Sequence, residues 1–485
     1  MKLSEVLAHI PDAGVTGRQD RNCSMLTYDS RQVQQDTLFV AVRGLWVDGH
    51  DYIDAAIEAG ATGIIAETEP PSDLGSRATW IQVHDSEVVL GLASDAFYRH
   101  PSSGLHVLAT TGTNGKTTIS WLLYGILRAN GHEPGLVGTV EQRFGTVRRD
   151  TLFTTPPSAD LHALLGEMRD YGCSHVAIEA SSHGLAMNRL SGLNVQVAGF
   201  SNLSRDHLDY HETMDAYREA KWLLFRDFAR KACFNIDDPV GREFHRRFTG
   251  ESLTVSVNGE QADIQVQHLD SSLAGCQLQL CIGNEKYDVL LPLVGAFNVQ
   301  NACVAAGMAI LAGIPQADVV ASLATLQPAP GRLEVVPGKR HVLVDYAHTP
   351  DALENVLRSL KALEPRRILC VFGAGGDRDP GKRPEMGSVV GRYADVAIVT
   401  SDNPRTEDPE KILDAIMKGV SGDLMVRREV DRAKAIHWAV SMADEGDVVL
   451  IAGKGHETYQ IIGTERRDFD DRLQAASALL SLIHI

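Results

Sequence analysis

His106-Val107-Leu108-Ala109-Thr110-Thr111-Gly112-Thr113-Asn114-Gly115-Lys116-Thr117-Thr118 is the stretch whose reading decides the fold. An apolar run, His106 to Ala109, enters a glycine turn, after which Ile119, Leu122, Leu123, Ile126 and Leu127 recur at helical spacing. The order is strand, turn, amphipathic helix, with Gly131 as the helix stop. Such a turn aims backbone N–H groups and the positive end of the helix dipole at an anion. Lys116 is then suited to reach the outer phosphates, and the Thr117 hydroxyl to hold Mg²⁺. A general P-loop has glycine five positions before Gly115, where this chain has Thr110. Taken alone, the turn therefore leaves two readings open, nucleotide binding or the plain packing of a helix on a sheet.

At 485 residues the expectation is roughly three domains, each able to bury a core. Apolar content of 44% and charged content of 22% are ordinary globular values, so disorder is not indicated. The formal net charge of −17 argues against a general nucleic-acid or anionic-membrane binder. An acidic protein that handles phosphates must concentrate cationic groups, backbone amides and metal ions locally. The start, Met1 to Glu5, lacks the pattern of a signal peptide, and no apolar run approaches the length of a spanning helix. Seven scattered cysteines without a CxxC suit a reducing cytoplasm and give no metal-site spacing.

Outward from the P-loop, the pattern predicts α/β structure on both sides. Thr37 to Val42 reads as a strand, Tyr52 to Ala59 as a helix ended by Gly60, and Gly63 to Ala66 as a buried strand. Tyr28-Asp29-Ser30-Arg31 reads as a solvated polar turn, and His100 to Gly104 as a domain boundary. Beyond the P-loop, Val176 to Glu179 and Val195 to Phe200 read as buried parallel strands ending in Glu179-Ala180-Ser181-Ser182-His183 and in Ser201 to His211. Polar groups at the carboxyl ends of parallel strands are site candidates, because ligands of open α/β sheets sit there. The stretch 253–294 alternates in short runs that predict antiparallel hairpins, and Gly295 to Ala302 opens a helix. A Pro- and Gly-rich boundary follows at Gln327 to Gly338. Four more strands, His341 to Val344, Ile368 to Phe372, Val396 to Thr400 and Val448 to Ile451, each end in a polar loop. Those loops, Asp345 to His348, Gly375 to Arg378, Asp402 to Arg405 and Gly453 to Glu457, are expected to share one sheet edge and form one site.

With these residues in place, the chain resembles the Mur ligases, the ATP-dependent amide-forming enzymes of peptidoglycan assembly, and among them the diaminopimelate-adding members. The resemblance covers essentially the whole chain. It rests on Thr111 to Thr118, Glu179 with Ser181 to Leu185, Asn202 to His211, Asp345 to Pro350 and Gly375 to Pro384. It implies an α/β protein of three domains: a UDP-sugar-binding domain (1–103), a central P-loop domain with a parallel sheet plus antiparallel strands (104–331), and a C-terminal Rossmann-like domain (332–485). It also implies phosphorylation of the terminal carboxylate of a UDP-linked dipeptide by ATP, then attack of an amine on the acyl phosphate.

The residue roles that follow are those the resemblance implies. Gly112, Thr113, Asn114, Gly115, Lys116, Thr117 and Thr118, with Asn298, Arg332, Asp345 and His348, are expected to contact ATP. Thr117, Glu179, His207 and Lys221, the last as a carbamate, are expected to serve Mg²⁺, and Lys116, Lys221, Glu179 and His207 to carry the catalysis. Tyr28, Ser30, Leu45, Trp46 and Val47 fall where the uridine diphosphate is held; Thr154, Thr155, Ser181, Met187 and Arg189 fall where the sugar-peptide is held. Met187 stands where a glutamine is usual, and Phe153 where a polar residue commonly precedes the two threonines. Asp402-Asn403-Pro404-Arg405, with Arg378, Gly453 and Glu457, matches the diaminopimelate contacts, since a planar guanidinium binds the second carboxylate that lysine lacks. The implied partners are small molecules alone, namely ATP, UDP-N-acetylmuramoyl-L-alanyl-D-glutamate and meso-diaminopimelate. Neither nucleic acid nor membrane is expected, a monomer is favoured, and the compartment is the cytoplasm. A lysine-adding ligase or a folylpolyglutamate synthetase is the competing enzyme reading, and a nucleotide-driven switch protein the competing reading of another class.

Overall fold

The computed structural model describes residues 1–482 apart from 45, 46, 73 and 75. The chain forms two compact units, Met1–Thr254 with Val304–Val319, and Val255–Cys303 with Val320–Ile485.

In the first unit, a five-stranded sheet has the order Gly14–Thr16, Thr79–Gln82, Ala61–Ala66, Thr37–Val40, Met25–Thr27. It is parallel except for Gly14–Thr16. The strands Thr37–Val40 and Ala61–Ala66 are buried on both faces, as their apolar runs require. Apolar groups around Leu38, Val40 and Ile65 line one face, and Phe39, Ile64 and Trp80 line the other. The strand expected to reach Val42 stops at Val40, because Gly49 N–H has taken the Val42 carbonyl (2.8 Å) to start the next turn. The following helix is shorter than its periodicity suggests, Ile53–Glu58, since Asp48 caps a 3₁₀ turn over Gly49–Tyr52 ahead of it.

The second sheet of this unit places the P-loop strand, His106–Thr111, between His175–Glu179 and Val195–Phe200. Ala229–Asn235 lies beyond Val195–Phe200, and Pro134–Val137 beyond His175–Glu179, all in parallel register. The carboxyl end of the P-loop strand therefore emerges between Glu179 and Ser201. The helix Lys116–Ala129 follows directly, its apolar side buried, and closes at Asn130 with Gly131 in the left-handed region (φ 77°). Where the two sheets meet, helix Ser86–Phe97 passes so close to Ser191 that a Cβ on Gly91 would lie 2.4 Å from its carbonyl.

In the second unit, Ile264–Ser272, Gly275–Ile282 and Glu285–Leu291 form the expected antiparallel meander. Val255 and Ser256 pair with it in parallel instead, Val255 opposite Ile264. The link between them folds onto Ser256, whose hydroxyl accepts from Asn258 N–H (3.3 Å) and Glu260 N–H (3.1 Å), and this returns the chain in its original direction. The helix opened at Gly295 runs Ala296–Leu311.

A six-stranded sheet completes this unit in the order Glu334–Val336, His341–Asp345, Asp447–Ala452, Arg367–Phe372, Val396–Val399, Met425–Arg428. Only Glu334–Val336 is antiparallel. Strand 447–452 lies between 341–345 and 367–372, so the strand order reverses there and opens a crevice at the carboxyl edge. Met425–Arg428 is an edge strand with mostly exposed side chains, which gives it no apolar signature.

Three histidines meet at the amino ends of the P-loop sheet. The His175 ring lies 4.7 Å from that of His106 and 4.4 Å from that of His132. Burial, reinforced by His132 and His106, lowers the pKa of His175 to about 4. The unfolded chain binds the extra proton between pH ~6.5 and that value, so stability is full above the window and falls as pH drops through it. His175→Gln is expected to flatten urea-unfolding stability between pH 7 and pH 4, by at most about 3 kcal/mol. An unchanged pH slope would remove the cluster from the acid response.

Candidate active site

The P-loop is built around two glycines that no other residue replaces. Gly112 (φ 151°) approaches Ser201 so closely that a Cβ would lie 1.8 Å from its hydroxyl, and Gly115 (φ 91°) turns the chain into the helix. Neighbouring strand ends tie the loop down. Thr113 N–H donates to Asn202 O (2.8 Å), Asn114 N–H to Asn202 Oδ1 (2.9 Å), and Ser201 Oγ to Asn114 O (2.5 Å). The Thr113 hydroxyl accepts from Ser204 N–H (3.0 Å) and meets Tyr217 OH (3.1 Å). Thr118 is buried in the first turn of the helix.

Two amines converge on one carbonyl. Lys116 Nζ donates to Gly112 O (2.8 Å) and Thr113 O (2.9 Å), and Lys221 Nζ donates to the same Gly112 O (2.8 Å). Lys221 is 1% exposed and sits 4.4 Å from the Tyr217 ring centre. Burial, then the Lys116 charge, push its ammonium well below the ordinary lysine range, against the pull of Asp206. His207, in a left-handed conformation (φ 53°), stands beside Asp206 and T-stacks on His183 at 4.8 Å.

Glu179, 2% exposed, ends the strand His175–Glu179. Its Oε2 accepts from Thr117 Oγ1 (2.9 Å) and Thr139 Oγ1 (3.0 Å), and its Oε1 from Thr139 N–H (2.7 Å). A carboxylate with surrounding hydroxyls suits a hard cation such as Mg²⁺. Among the described residues no group of three or more His, Cys, Asp or Glu is arranged to hold a metal.

The first unit also brings the sugar-peptide candidates together. Ser181 caps the helix Ser182–Ala186, and its hydroxyl lies 3.0 Å from that of Thr155, which donates to Glu179 O (2.7 Å). Arg189 Nη1 donates to Thr155 O (2.7 Å). The two unusual residues both pack on this arginine: Met187 Sδ is 3.6 Å from Nη2, and the Phe153 ring centre is 4.8 Å from the guanidinium carbon. Tyr28 OH donates to Asp160 Oδ2 (2.8 Å), and burial raises both pKa values. Ser30 opens a 3₁₀ turn capped by Asp29, and Val47 is exposed, its carbonyl accepting from Gly44 N–H (3.0 Å). Leu45 and Trp46 lie outside the described residues.

In the second unit the four polar loops do share one edge. Gly453 N–H donates to Asp345 O (3.1 Å), and Gly376 N–H to Asn403 O (2.9 Å). Asp345 accepts from Leu333 N–H and Ala347 N–H, each at 2.7 Å. Burial raises its carboxyl above the usual range, opposed by Arg332. Arg332 lies 4.6 Å from the Tyr346 ring centre, and Tyr346 is flanked by His348. Asn298 is buried, donating to Val294 O (2.9 Å).

Arg405 takes a left-handed backbone (φ 50°), pinned by its N–H on Ile461 O (3.1 Å) and its carbonyl accepting from Gly463 N–H (2.7 Å). Its Nη1 donates to Gly376 O (2.7 Å). Arg378 is exposed at the rim on the other side of Gly375 and donates to Asp377 O (3.0 Å). Asp402 is buried against Gly453 (φ 116°), where a Cβ would lie 2.7 Å from its carboxylate, and Pro404 O accepts from Glu407 N–H (3.2 Å). Glu457 accepts from Asn403 Nδ2 (2.9 Å) and Lys454 Nζ (2.9 Å).

Several supports escaped the sequence reading. Lys454, fully buried, bridges Glu457 and Asn403. Arg383 holds Glu407 through both guanidinium nitrogens (2.9 and 2.7 Å), and Glu407 in turn accepts from Asp377 N–H (2.6 Å). Arg432 pairs with Asp471 (2.8 and 2.7 Å) and donates to Ser401 O and Ala452 O, tying two strand ends together. Buried arginines of this kind look like any surface arginine in a sequence. Because the Arg432–Asp471 pair is fully buried, Arg432→Met is expected to cost about 3–5 kcal/mol by stranding Asp471. Arg432→Met with Asp471→Leu should recover most of that loss in urea unfolding, and equal instability of single and double variants would contradict the pairing.

Three family models match in chain order: the Mur ligase family catalytic domain over residues 22–98, the Mur ligase middle domain over 110–309, and the Mur ligase glutamate ligase domain over 331–455. The UDP-N-acetylmuramoyl-L-alanyl-D-glutamate–2,6-diaminopimelate ligase of Geobacillus kaustophilus is 41% identical over 490 positions, covering 99% of each chain. A solved structure of a ligase with that same name is 35% identical, covers 100% of both chains and has a TM-score of 0.73. The MurF ligase of Thermotoga maritima in complex with ADP shares the fold (TM-score 0.63, 19% identity, 95% of this chain and 97% of that one).

Proposed function

This chain belongs to the Mur ligase family, and from that premise we propose that it joins meso-2,6-diaminopimelate to UDP-N-acetylmuramoyl-L-alanyl-D-glutamate at the cost of ATP. The observation that carries the amino-acid choice is Arg405, pinned in a left-handed conformation with its guanidinium on the Gly376 carbonyl and with Glu457 fixed in a loop of the same edge. A guanidinium held by a carbonyl keeps its charge for a carboxylate, and an anchored glutamate suits an ammonium. Lysine lacks the second carboxylate and would leave Arg405 without it, which disfavours the lysine-adding alternative.

A free carboxylate is a poor electrophile, so the reaction needs a phosphoryl leaving group, and the enzyme's work is positioning and charge stabilisation. In this reading the amides of Gly112 to Thr118 and the Lys116 ammonium hold the ATP phosphates, with Asn298, Arg332, Asp345 and His348 as further ATP contacts. Thr117 and Glu179, with His207 and a carbamylated Lys221, would hold Mg²⁺, which supplies charge neutralisation to the phosphates. The depressed Lys221 ammonium favours the neutral amine that reacts with carbon dioxide. Tyr28, Ser30, Leu45, Trp46 and Val47 take the uridine diphosphate. Thr154, Thr155, Ser181, Met187 and Arg189 take the sugar-peptide, and Arg378, Asp402, Asn403, Pro404, Arg405, Gly453 and Glu457 the diaminopimelate. We assign these tasks to three domains, 1–103, 104–331 and 332–485, in a monomer working in the cytoplasm. No helix among the described residues is long and apolar enough to cross a membrane.

The test is phosphate release from ATP, Mg²⁺ and the UDP-dipeptide, with diaminopimelate or lysine as acceptor. Diaminopimelate alone is expected to support turnover, and equal use of lysine would refute the specificity. Arg405→Ala is expected to lose at least ~100-fold in kcat/KM for diaminopimelate, with ADP affinity unchanged. Lys116→Ala is expected to abolish turnover while the fold persists by circular dichroism.

A further inference from the structure

Thr139 has no role in the reaction as described, yet it touches both halves of the first unit's chemistry. It follows the strand Pro134–Val137 and a glycine whose missing side chain matters, because a Cβ on Gly138 would lie 2.2 Å from Glu179 Oε1. That gap lets Thr139 donate twice to one carboxylate, through N–H to Oε1 (2.7 Å) and through Oγ1 to Oε2 (3.0 Å). On its other side, Thr139 Oγ1 stands 3.0 Å from Thr154 Oγ1. Thr154 belongs to the neighbouring loop, whose next residue, Thr155, bonds to Ser181 and receives Arg189.

The proton count makes this contact directional. A hydroxyl has one proton and two lone pairs. With the Thr139 proton committed to Glu179, the 3.0 Å contact to Thr154 requires Thr154 to donate. The Thr154 oxygen is then left as an acceptor. When a cation takes lone-pair density at Glu179 Oε2, acceptance there weakens. The Thr139 proton is then free to turn toward Thr154, whose own proton is released for donation outward. One hydroxyl thus links the state of the carboxylate to the donor or acceptor character of a residue on the substrate side. Charge-assisted hydrogen bonds of this kind are stronger than neutral ones, so the link carries free energy.

Resting on the activity proposed above, we propose that Thr139 is a positioning residue which couples occupancy at Glu179 to binding of the UDP-dipeptide at Thr154. Magnesium-nucleotide and UDP-dipeptide then tighten one another's binding, by reciprocity to the same factor.

The test is calorimetric titration of Mg²⁺–ADP into the full-length protein with and without saturating UDP-N-acetylmuramoyl-L-alanyl-D-glutamate. The wild type is expected to bind Mg²⁺–ADP about 5-fold or more tightly when the dipeptide is present. In Thr139→Val, which keeps the N–H bond and shape but loses the hydroxyl, the factor is expected to fall to about 1, while Thr139→Ser restores it. Thr154→Val should abolish the factor too, and in the double variant no further loss is expected; this arm carries the test if Thr139→Val fails to fold. A wild-type factor of 1, or an undiminished factor in either valine variant, overturns the relay while leaving the ligase activity standing. Failure of the wild type to bind the UDP-dipeptide at all overturns the activity reading and the relay with it.

Discussion

The contact between Gly112 and Ser201 is the constraint on which the first unit's site depends. The P-loop strand leaves the sheet between two parallel neighbours, and its first loop residue must pass where a Cβ would sit 1.8 Å from a hydroxyl. Only a glycine clears that gap, and the φ of 151° is open to glycine alone. The consequence is that the Gly112 carbonyl faces the interior, where two lysines reach it. Two ammonium groups beside one oxygen repel each other. Burial, then the Lys116 charge, push the Lys221 ammonium below the ordinary lysine range. A backbone carbonyl thereby joins the P-loop to a side chain 109 positions away.

The same edge of the first unit is rich in threonine. Thr113, Thr117, Thr139, Thr154 and Thr155 each place a hydroxyl against a carbonyl, a carboxylate or another hydroxyl. Hydroxyls rotate to donate or accept, so the network adapts to a change of charge at Glu179 without moving the backbone. Amides and carboxylates in those places would fix one polarity.

Much of this was legible in the sequence, for identifiable reasons. The P-loop, the parallel strands beside it and the four loops after 345, 372, 399 and 452 are announced by apolar runs that end in polar clusters, and the structure gathers the four loops at one edge. Parallel strands buried on both faces leave that signal because every position is apolar. What failed lacked such a pattern. Met425–Arg428 is an exposed edge strand, and the parallel pairing of Val255 with Ile264 depends on a turn bonded to Ser256 rather than on alternation. Thr139 and Lys454 act through distances to residues 40 and 51 positions away, and neither has a local signature. Phe153 and Met187, unusual for the family, both pack on Arg189, a contact between side chains that no local pattern announces.

The treatment of positive charge is the sharpest division between scaffold and site. Arg383 and Arg432 each meet a carboxylate through two nitrogens, Glu407 and Asp471, and so are neutralised where they stand. Arg189 and Arg405 donate to the carbonyls of Thr155 and of Gly376. A carbonyl fixes the direction of a cation through its dipole yet leaves the full unit charge to be satisfied by something else. In a chain whose net charge is −17, cations anchored in this way create the local attraction for phosphates and carboxylates that the overall field opposes.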